Sequence, residues 1–256
     1  MAAVDALRFD FRPEIDRPTL VMAFSGWSDA GSAASNAVQY LSSQLSAQNF
    51  ASIDGEEFFD FTVQRPLVRL DEQQIRQLTW PCYEFSSARN FVFAFGPEPH
   101  LRWRTFCSLV VRLAEELAVA RVVLLGAFLA EVLYTDPVPL TGFASDPALL
   151  ERLKISSTSY QGPTGIVGAL ADALRKKDFP LLSLWGAIPH YIAGTPNPRG
   201  ALALLLKLRE WIDLPIDTAP LEAAAATFQS QLLEAVEGNT QLSEYIRGLK
   251  KGETSH

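Results

Sequence analysis

Short apolar runs, alternating with longer stretches of helical period, set the tightest limit on how this chain can fold. The runs lie at 19–24, 91–95, 122–126, 138–143 and 181–187 and contain few polar residues. A strand that is apolar on both sides must be covered on both faces, the condition of a parallel sheet between two layers of helix. The intervening stretches supply such layers. Residues 29–45 keep Ala30, Ala33, Ala37, Leu41 and Leu45 on one side, and residues 101–119 keep Leu101, Phe106, Leu109, Leu113 and Leu117 on one side. Ile166, Val167, Leu170, Ala173 and Leu174 form a third stripe. Arg175, Lys176 and Lys177 follow it, where the helix dipole favours cations. Asn197 before Pro198 reads as an N-cap and first-turn proline of a helix running to Trp211.

The expected fold is α/β, a three-layer sandwich with a mostly parallel central sheet. Shorter pieces near 51–53 and 67–70 are expected to add edge strands. After residues 214–217 the texture becomes Ala-rich helix, with Leu221, Ala225, Phe228, Leu232 and Ala235 as a packing seam. Gly238, Asn239 and Thr240 interrupt it, and Leu242, Ile246 and Leu249 mark a last short helix. We therefore expect an α/β domain over 1–216 and a C-terminal helical extension over 217–256. The extension covers either its own chain or a neighbouring subunit.

A chain of 256 residues can build a real core without staples. Its net charge of -7, with no block of basic residues, argues against a nucleic-acid partner. The longest apolar run, 122–130, is far short of a membrane span, and the opening residues lack a signal-peptide core, so cytoplasm is the expected location. The cysteines, Cys82 and Cys107, stand far apart and read as reduced thiols. The histidines, His100, His190 and His256, are too scattered for a zinc pattern, so no metal and no cofactor are expected.

In an open α/β sheet, ligands bind beyond the carboxyl ends of the strands. The loops to watch are 25–29, 96–100, 126–136 and 185–191. Gly26 and Gly31 have the glycine spacing of a phosphate loop, but the Lys and Ser/Thr that would meet the phosphates are replaced by Ser32 and Ala33. Residues 26–30, Gly-Trp-Ser-Asp-Ala, approximate a serine-nucleophile elbow with His190 as a conceivable base. The pattern ends in Ala, and too little chain precedes it for the strands of an α/β-hydrolase. The plainer reading makes Asp29 or Ser28 a helix cap and treats Trp27 as packing. In Tyr160-Gln-Gly-Pro-Thr-Gly-Ile166, Thr164 is positioned to cap the next helix, whose N-terminus is also a conceivable anion site. His100 and His190, each beside a proline, read as structural, and Glu131 is a perturbed carboxylate if it is buried.

Four segments, FSGWSDAGSAAS from Phe24, GAFLAEV from Gly126, YQGPTGI from Tyr160 and SLWGAIPHY from Ser183, occur in an order that resembles bacterial members of the proteasome assembly chaperone 2 family, above all the actinobacterial type. The likeness runs from about residue 18 to 211. It implies a fold similar to purine nucleoside phosphorylases, assembly into oligomers and, in eukaryotic members, a part in building the proteasome α ring by binding rather than catalysis. The matching positions are Gly26, Trp27, Asp29, Ala30, Gly31, Tyr160, Gly162, Pro163, Thr164, Gly165, Trp185, Pro189, His190 and Tyr191, none with an accepted catalytic role.

The chain departs from the family pattern in two places. Residues 132–137 read Val-Leu-Tyr-Thr-Asp-Pro where relatives tend to have Pro-His-Thr-Arg-Pro, which exchanges a basic position for Asp136. The end, Glu-Thr-Ser-His, lacks the hydrophobic-Tyr-x tail by which eukaryotic members dock. The resemblance thus implies a non-enzymatic, chaperone-like, homo-oligomeric protein, trimer the first expectation, with proteasome subunits as candidate partners. Its candidate binding or motif positions are Gly26, Trp27, Asp29, Glu131, Tyr160, Gly162, Pro163, Thr164, Gly165, His190 and Tyr191. The alternative is an enzyme acting on a nucleoside or related small molecule at the strand-end loops.

Overall fold

The computed structural model describes residues 6–71 and 73–253. In chain order the elements are β1 (Leu7–Phe9), β2 (Thr19–Ser25), α1 (Ala33–Gln44), β3 (Gln48–Asp54), β4 (Leu67–Leu70), β5 (Arg76–Thr79), β6 (Cys82–Ala88), β7 (Phe91–Pro97), α2 (Trp103–Glu116), β8 (Arg121–Ala130), β9 (Leu140–Ala144), α3 (Pro147–Leu153), β10 (Ser156–Ser157), α4 (Ile166–Arg175), β11 (Leu181–Pro189), α5 (Pro198–Arg209), α6 (Ala219–Glu237) and α7 (Thr240–Glu253). The contrasted tail beyond residue 253, with His256, lies outside the described residues.

A nine-stranded sheet in the order β1-β3-β6-β7-β2-β8-β11-β9-β10 forms the middle layer. Its centre, β7-β2-β8-β11, is parallel, as the unbroken apolar runs require. Alternate residues of these strands enter two cores. Leu20, Met22, Phe24, Val122 and Leu124 join α2 and α4 on one face, while Val21, Ala23, Val123 and Leu125 join α1 and α5 on the other. The chain is therefore α/β in three layers.

The flanks differ from the sequence expectation. β6 is antiparallel to both β7 and β3, and β9, the run at 138–143, lies antiparallel to β11. The piece near 51–53 belongs to a full strand, β3, in the main sheet. The piece at 67–70 is not an edge of that sheet but one half of a separate two-stranded hairpin, β4-β5. Its side chains have no core to enter, so apolar composition alone misplaced it.

The helix expected at 29–45 is split. A short 3-10 turn, Ala30–Ser32, precedes α1, because Gly31 (φ 58°) and Ser32 (φ 50°) are left-handed. Asn197 does cap α5, its Oδ1 accepting from Gly200 N at 3.0 Å. On α6 the buried seam is Leu221, Ala225, Leu232 and Val236, with Ala235 exposed. Leu232, Val236 and Ile246 of α6 and α7 pack on Leu133 and Tyr134 of the same chain. No helix among the described residues is long and apolar enough to cross a membrane.

Candidate functional site

β9 and the outer part of β11 carry no helix on the α4 side, so the sheet surface there stays open and α4 forms one wall beside it. The result is a cavity of about 940 Å³ that runs over the open sheet face beside α4 and reaches the carboxyl ends of β2 and β8. Phe128, Thr141, Phe143 and Trp185 form its floor, α4 contributes Gly168, Ala171 and Arg175, and Trp27 and Tyr160 stand at its mouth. Its size suits a ligand or an inserted side-chain cluster.

The floor depends on Gly126. β11 pairs with β8 so that Trp185 lies opposite Gly126, and a Cβ there would come within 2.5 Å of the indole ring. Glycine thus lets the indole lie flat across the neighbouring strand, where its Nε1 donates to Ser183 Oγ at 2.9 Å.

The wall by β2 is set by Asp29, which is 7% exposed. Its Oδ1 accepts from Ala34 N at 2.8 Å and Ser35 N at 3.1 Å, and its Oδ2 accepts from Ser35 Oγ at 2.5 Å. Asp29 therefore caps α1, reaching across the 3-10 turn to do so. Burial pushes its carboxyl above the ordinary 3.8, and the hydrogen bonds from Ser35 and Ala34 offset this only in part. Ser28 is 1% exposed and its Oγ has no hydrogen-bond partner among the described residues, so no base stands ready to activate it as a nucleophile.

At the head of α4 the expected cap is replaced. Thr164 Oγ1 gives only a 3.5 Å contact to Gly165 O, and Ile166 N instead donates to Glu98 Oε1 at 2.7 Å. A carboxylate from the loop after β7 occupies the place an anion would take, so the anion-site reading is overturned. A Cβ on Gly165 would meet Ser28 Oγ at 2.8 Å and Glu98 Oε1 at 2.9 Å, which explains a glycine there.

The remaining positions separate into two groups. Trp27 and Tyr160 are 63% and 62% exposed, so Trp27 is not packed inside the loop as the plainer reading had it. Tyr160 OH donates to Pro163 O at 2.8 Å, folding residues 160–163 around Gly162. His190 and Tyr191 lie apart from the cavity lining, in an aromatic cluster with Tyr245. Tyr191 OH donates to Val132 O at 3.0 Å and accepts from Tyr134 N at 2.9 Å, and burial pushes its hydroxyl up. Arg199 donates to the carbonyls of Tyr134 and Asp136, so α5 holds the loop in which the sequence departs from the family pattern. Glu131 is exposed rather than buried, because the chain turns outward as β8 ends.

Apart from Thr164, the polar side chains of the cavity are already engaged. Asp172 pairs with Arg175 at 3.0 Å, Thr141 Oγ1 donates to Ser156 O at 3.0 Å, Thr158 Oγ1 accepts from Tyr160 N at 3.2 Å, and Asp29 is a cap. Among the described residues no group of three or more His, Cys, Asp or Glu could hold a metal ion. What the cavity offers is apolar and aromatic surface. The sequence reading found Trp27 and Tyr160 and had Phe128 and Leu129 inside the loop 126–136 it singled out, which the structure makes the end of β8, but it missed Phe143, which looks like strand interior until the open face of the sheet is known.

Comparison with known proteins gives one family and several relatives of solved structure. The PAC2 family matches residues 23–236. A PAC2 family protein from Streptomyces avermitilis is 41% identical with a TM-score of 0.82, covering 89% of this chain and 99% of that one. A proteasome-assembly chaperone homologue from Mycobacterium tuberculosis is 36% identical with a TM-score of 0.80, over 89% of this chain and 99% of that one. The Pyrococcus furiosus protein PbaB, an archaeal proteasome activator, shares the fold at 16% identity and a TM-score of 0.70, over 90% of this chain and 98% of that one. No curated protein matches the chain.

Proposed function

The chain belongs to the PAC2 family, and from that premise we propose that it is a chaperone-like, non-enzymatic protein that binds other proteins. It acts in the cytoplasm as a homo-oligomer, with a trimer the expected size, on a proteasome-related partner. The Mycobacterium tuberculosis relative, a proteasome-assembly chaperone homologue, supports that choice of partner. One observation carries the reading. The strand-end cavity exposes Trp27, Phe128, Leu129, Phe143 and Tyr160, while most of its polar side chains are engaged internally.

A site for a polar metabolite needs convergent groups left free for that metabolite. An apolar surface whose polar groups are already satisfied suits contact with protein, where aromatic residues dominate. The nucleoside-enzyme alternative finds no such convergent set among the described residues.

The test is gel filtration with mass detection of the full chain mixed with proteasome α subunits of the same organism. A discrete mixed complex is expected. Two unaltered peaks, under conditions where each protein is folded, would refute the proteasome-related partner.

A further inference from the structure

Engagement does not exhaust the polar groups at one end of the cavity. A guanidinium has five N–H donors, and a serine or threonine hydroxyl has one donor beside its acceptor sites. Arg175 spends an N–H on Asp172 Oδ1 at 3.0 Å. Ser183 Oγ accepts from Trp185 Nε1 and Thr158 Oγ1 accepts from Tyr160 N, and neither hydroxyl donates to an acceptor among the described residues. Ser183 is 4% exposed, and a donor so deeply buried calls for an acceptor. What this end lacks is an acceptor-rich group.

The three donors stand at one level of the fold. α4 starts against Glu98, beyond the carboxyl end of β7, and runs back to Arg175, from which the chain turns into β11 at Leu181. Ser183, the third residue of β11, pairs with Phe143, and Thr158 N donates to the carbonyl of Gly142, next to Phe143. Arg175, Ser183 and Thr158 all line the cavity. Its other end, toward Leu129, is lined by Trp27 and Phe128, and the indole of Trp185 forms the floor between. From Ser183 to Ile188, the partner of Leu129, is five residues along β11, about 16 Å. The recess is thus long, with donors at one end and rings along the rest.

Charge selects the sign of the missing group. Asp172 is shared by Arg175 and by Lys176 Nζ at 2.6 Å, so two cations face one carboxylate. Asp29, the other carboxylate of the lining, is spent on the cap of α1 near the opposite end. A surplus of one positive charge suits a monoanion. A carboxylate fits, because its two oxygens match the guanidinium fork and keep lone pairs for the hydroxyls. A dianion would be repelled by Asp172 with no second free cation to offset it.

We propose that the cavity binds a small amphipathic carboxylate with a ring-bearing body, its acid on Arg175, Ser183 and Thr158 and its rings against Trp185 and Phe128. A volume of about 940 Å³ lies within the range of small-molecule sites. The assignment goes beyond the protein contact proposed above. Trp27 and Tyr160, at the mouth, remain to meet a partner while the floor is filled.

Fluorescence titration of the full chain with pyrenebutyrate and with its uncharged analogue pyrenebutanol tests it. Wild type should prefer the acid about tenfold, the effect of one hydrogen bond to a charged group. Arg175→Gln leaves Asp172 paired with Lys176, so the variant should keep the wild-type circular dichroism and lose that preference alone. Phe128→Ser, at a side chain 37% exposed, should keep the fold and weaken both probes alike. No binding of either probe, equal affinity for both, or a preference that survives Arg175→Gln would overturn the carboxylate site. Binding untouched by Phe128→Ser would put the probe elsewhere on the chain and overturn the cavity as its place. A short peptide ending in phenylalanine with a free carboxylate should displace pyrenebutyrate less readily than naphthaleneacetate does. The reverse order would make a partner's chain end the occupant and overturn the small-molecule assignment.

Discussion

Replacing Asp29 with Ala tests whether the cavity wall is built on a helix cap. The variant removes two acceptors of the carboxylate that together meet Ala34 N, Ser35 N and Ser35 Oγ. Loss of an N-cap costs about 0.5–2 kcal/mol, and leaving a buried N–H without an acceptor adds about 1–3 kcal/mol. We expect a total of about 2–4 kcal/mol, which for a chain of this size lowers Tm by about 5–15 °C. Asp29→Asn keeps one acceptor oxygen and should cost no more than about 1 kcal/mol.

The two substitutions also differ from wild type in their pH dependence. Burial raises the carboxyl above 3.8, so the folded chain holds this proton more tightly than the unfolded chain. The stability from that proton is complete below the unfolded value and is lost as pH rises through the raised folded value. The gap between wild type and Asp29→Asn should therefore be largest in acid and shrink as pH rises through that window. Urea unfolding at a series of pH values, with calorimetry at neutral pH, reads both effects. An Asp29→Ala melting temperature within about 1 °C of wild type, or a gap that widens with pH, would refute the reasoning.

Other substitutions follow from single contacts. Gly126→Ala should lose roughly 1–3 kcal/mol and shift tryptophan emission, because the new Cβ meets the Trp185 ring at 2.5 Å; an unchanged spectrum would mean the ring does not lie there. Glu98→Ala should cost about 1–2 kcal/mol and speed hydrogen exchange at Ile166, whose N–H loses its acceptor; unchanged exchange would place the cap elsewhere. Cys107 is buried and its thiol is pushed up to about 12, so a neutral-pH alkylating reagent should modify half-buried Cys82 first and Cys107 only as fast as the chain unfolds. Equal rates at both thiols would contradict that burial.

The central strands were legible because a strand buried on both faces must be apolar throughout, as at 19–24 and 122–126. The flanks were not. Strand β6 carries a period-2 signal in Tyr83 and Phe85 with exposed Glu84 between them, but Pro81 before it and two serines after it mask the pattern. The hairpin at 67–79 has the composition of a sheet edge, and only topology separates it from the sheet. Glycines at 126 and 165 could be read as close approaches, yet the atoms that crowd them, on Trp185 and Glu98, come from 59 and 67 residues away in the chain. Capping of α4 by Glu98 bridges a similar separation and has no spacing signature. Outward exposure of Trp27 had no sequence signal either, since its ring lies beside Gly165, 138 residues away in the chain.

In the function proposed above, the strand-end cavity is a protein-contact surface, left bare only in an isolated chain. Solution mass of the purified full chain, measured by light scattering across a dilution series, tests it most directly. A discrete oligomer that resists dilution until its apolar contacts give way is the expected result. A monomer at every concentration would contradict self-association, and if no mixed complex formed with proteasome α subunits either, the cavity would have no protein contact to cover it.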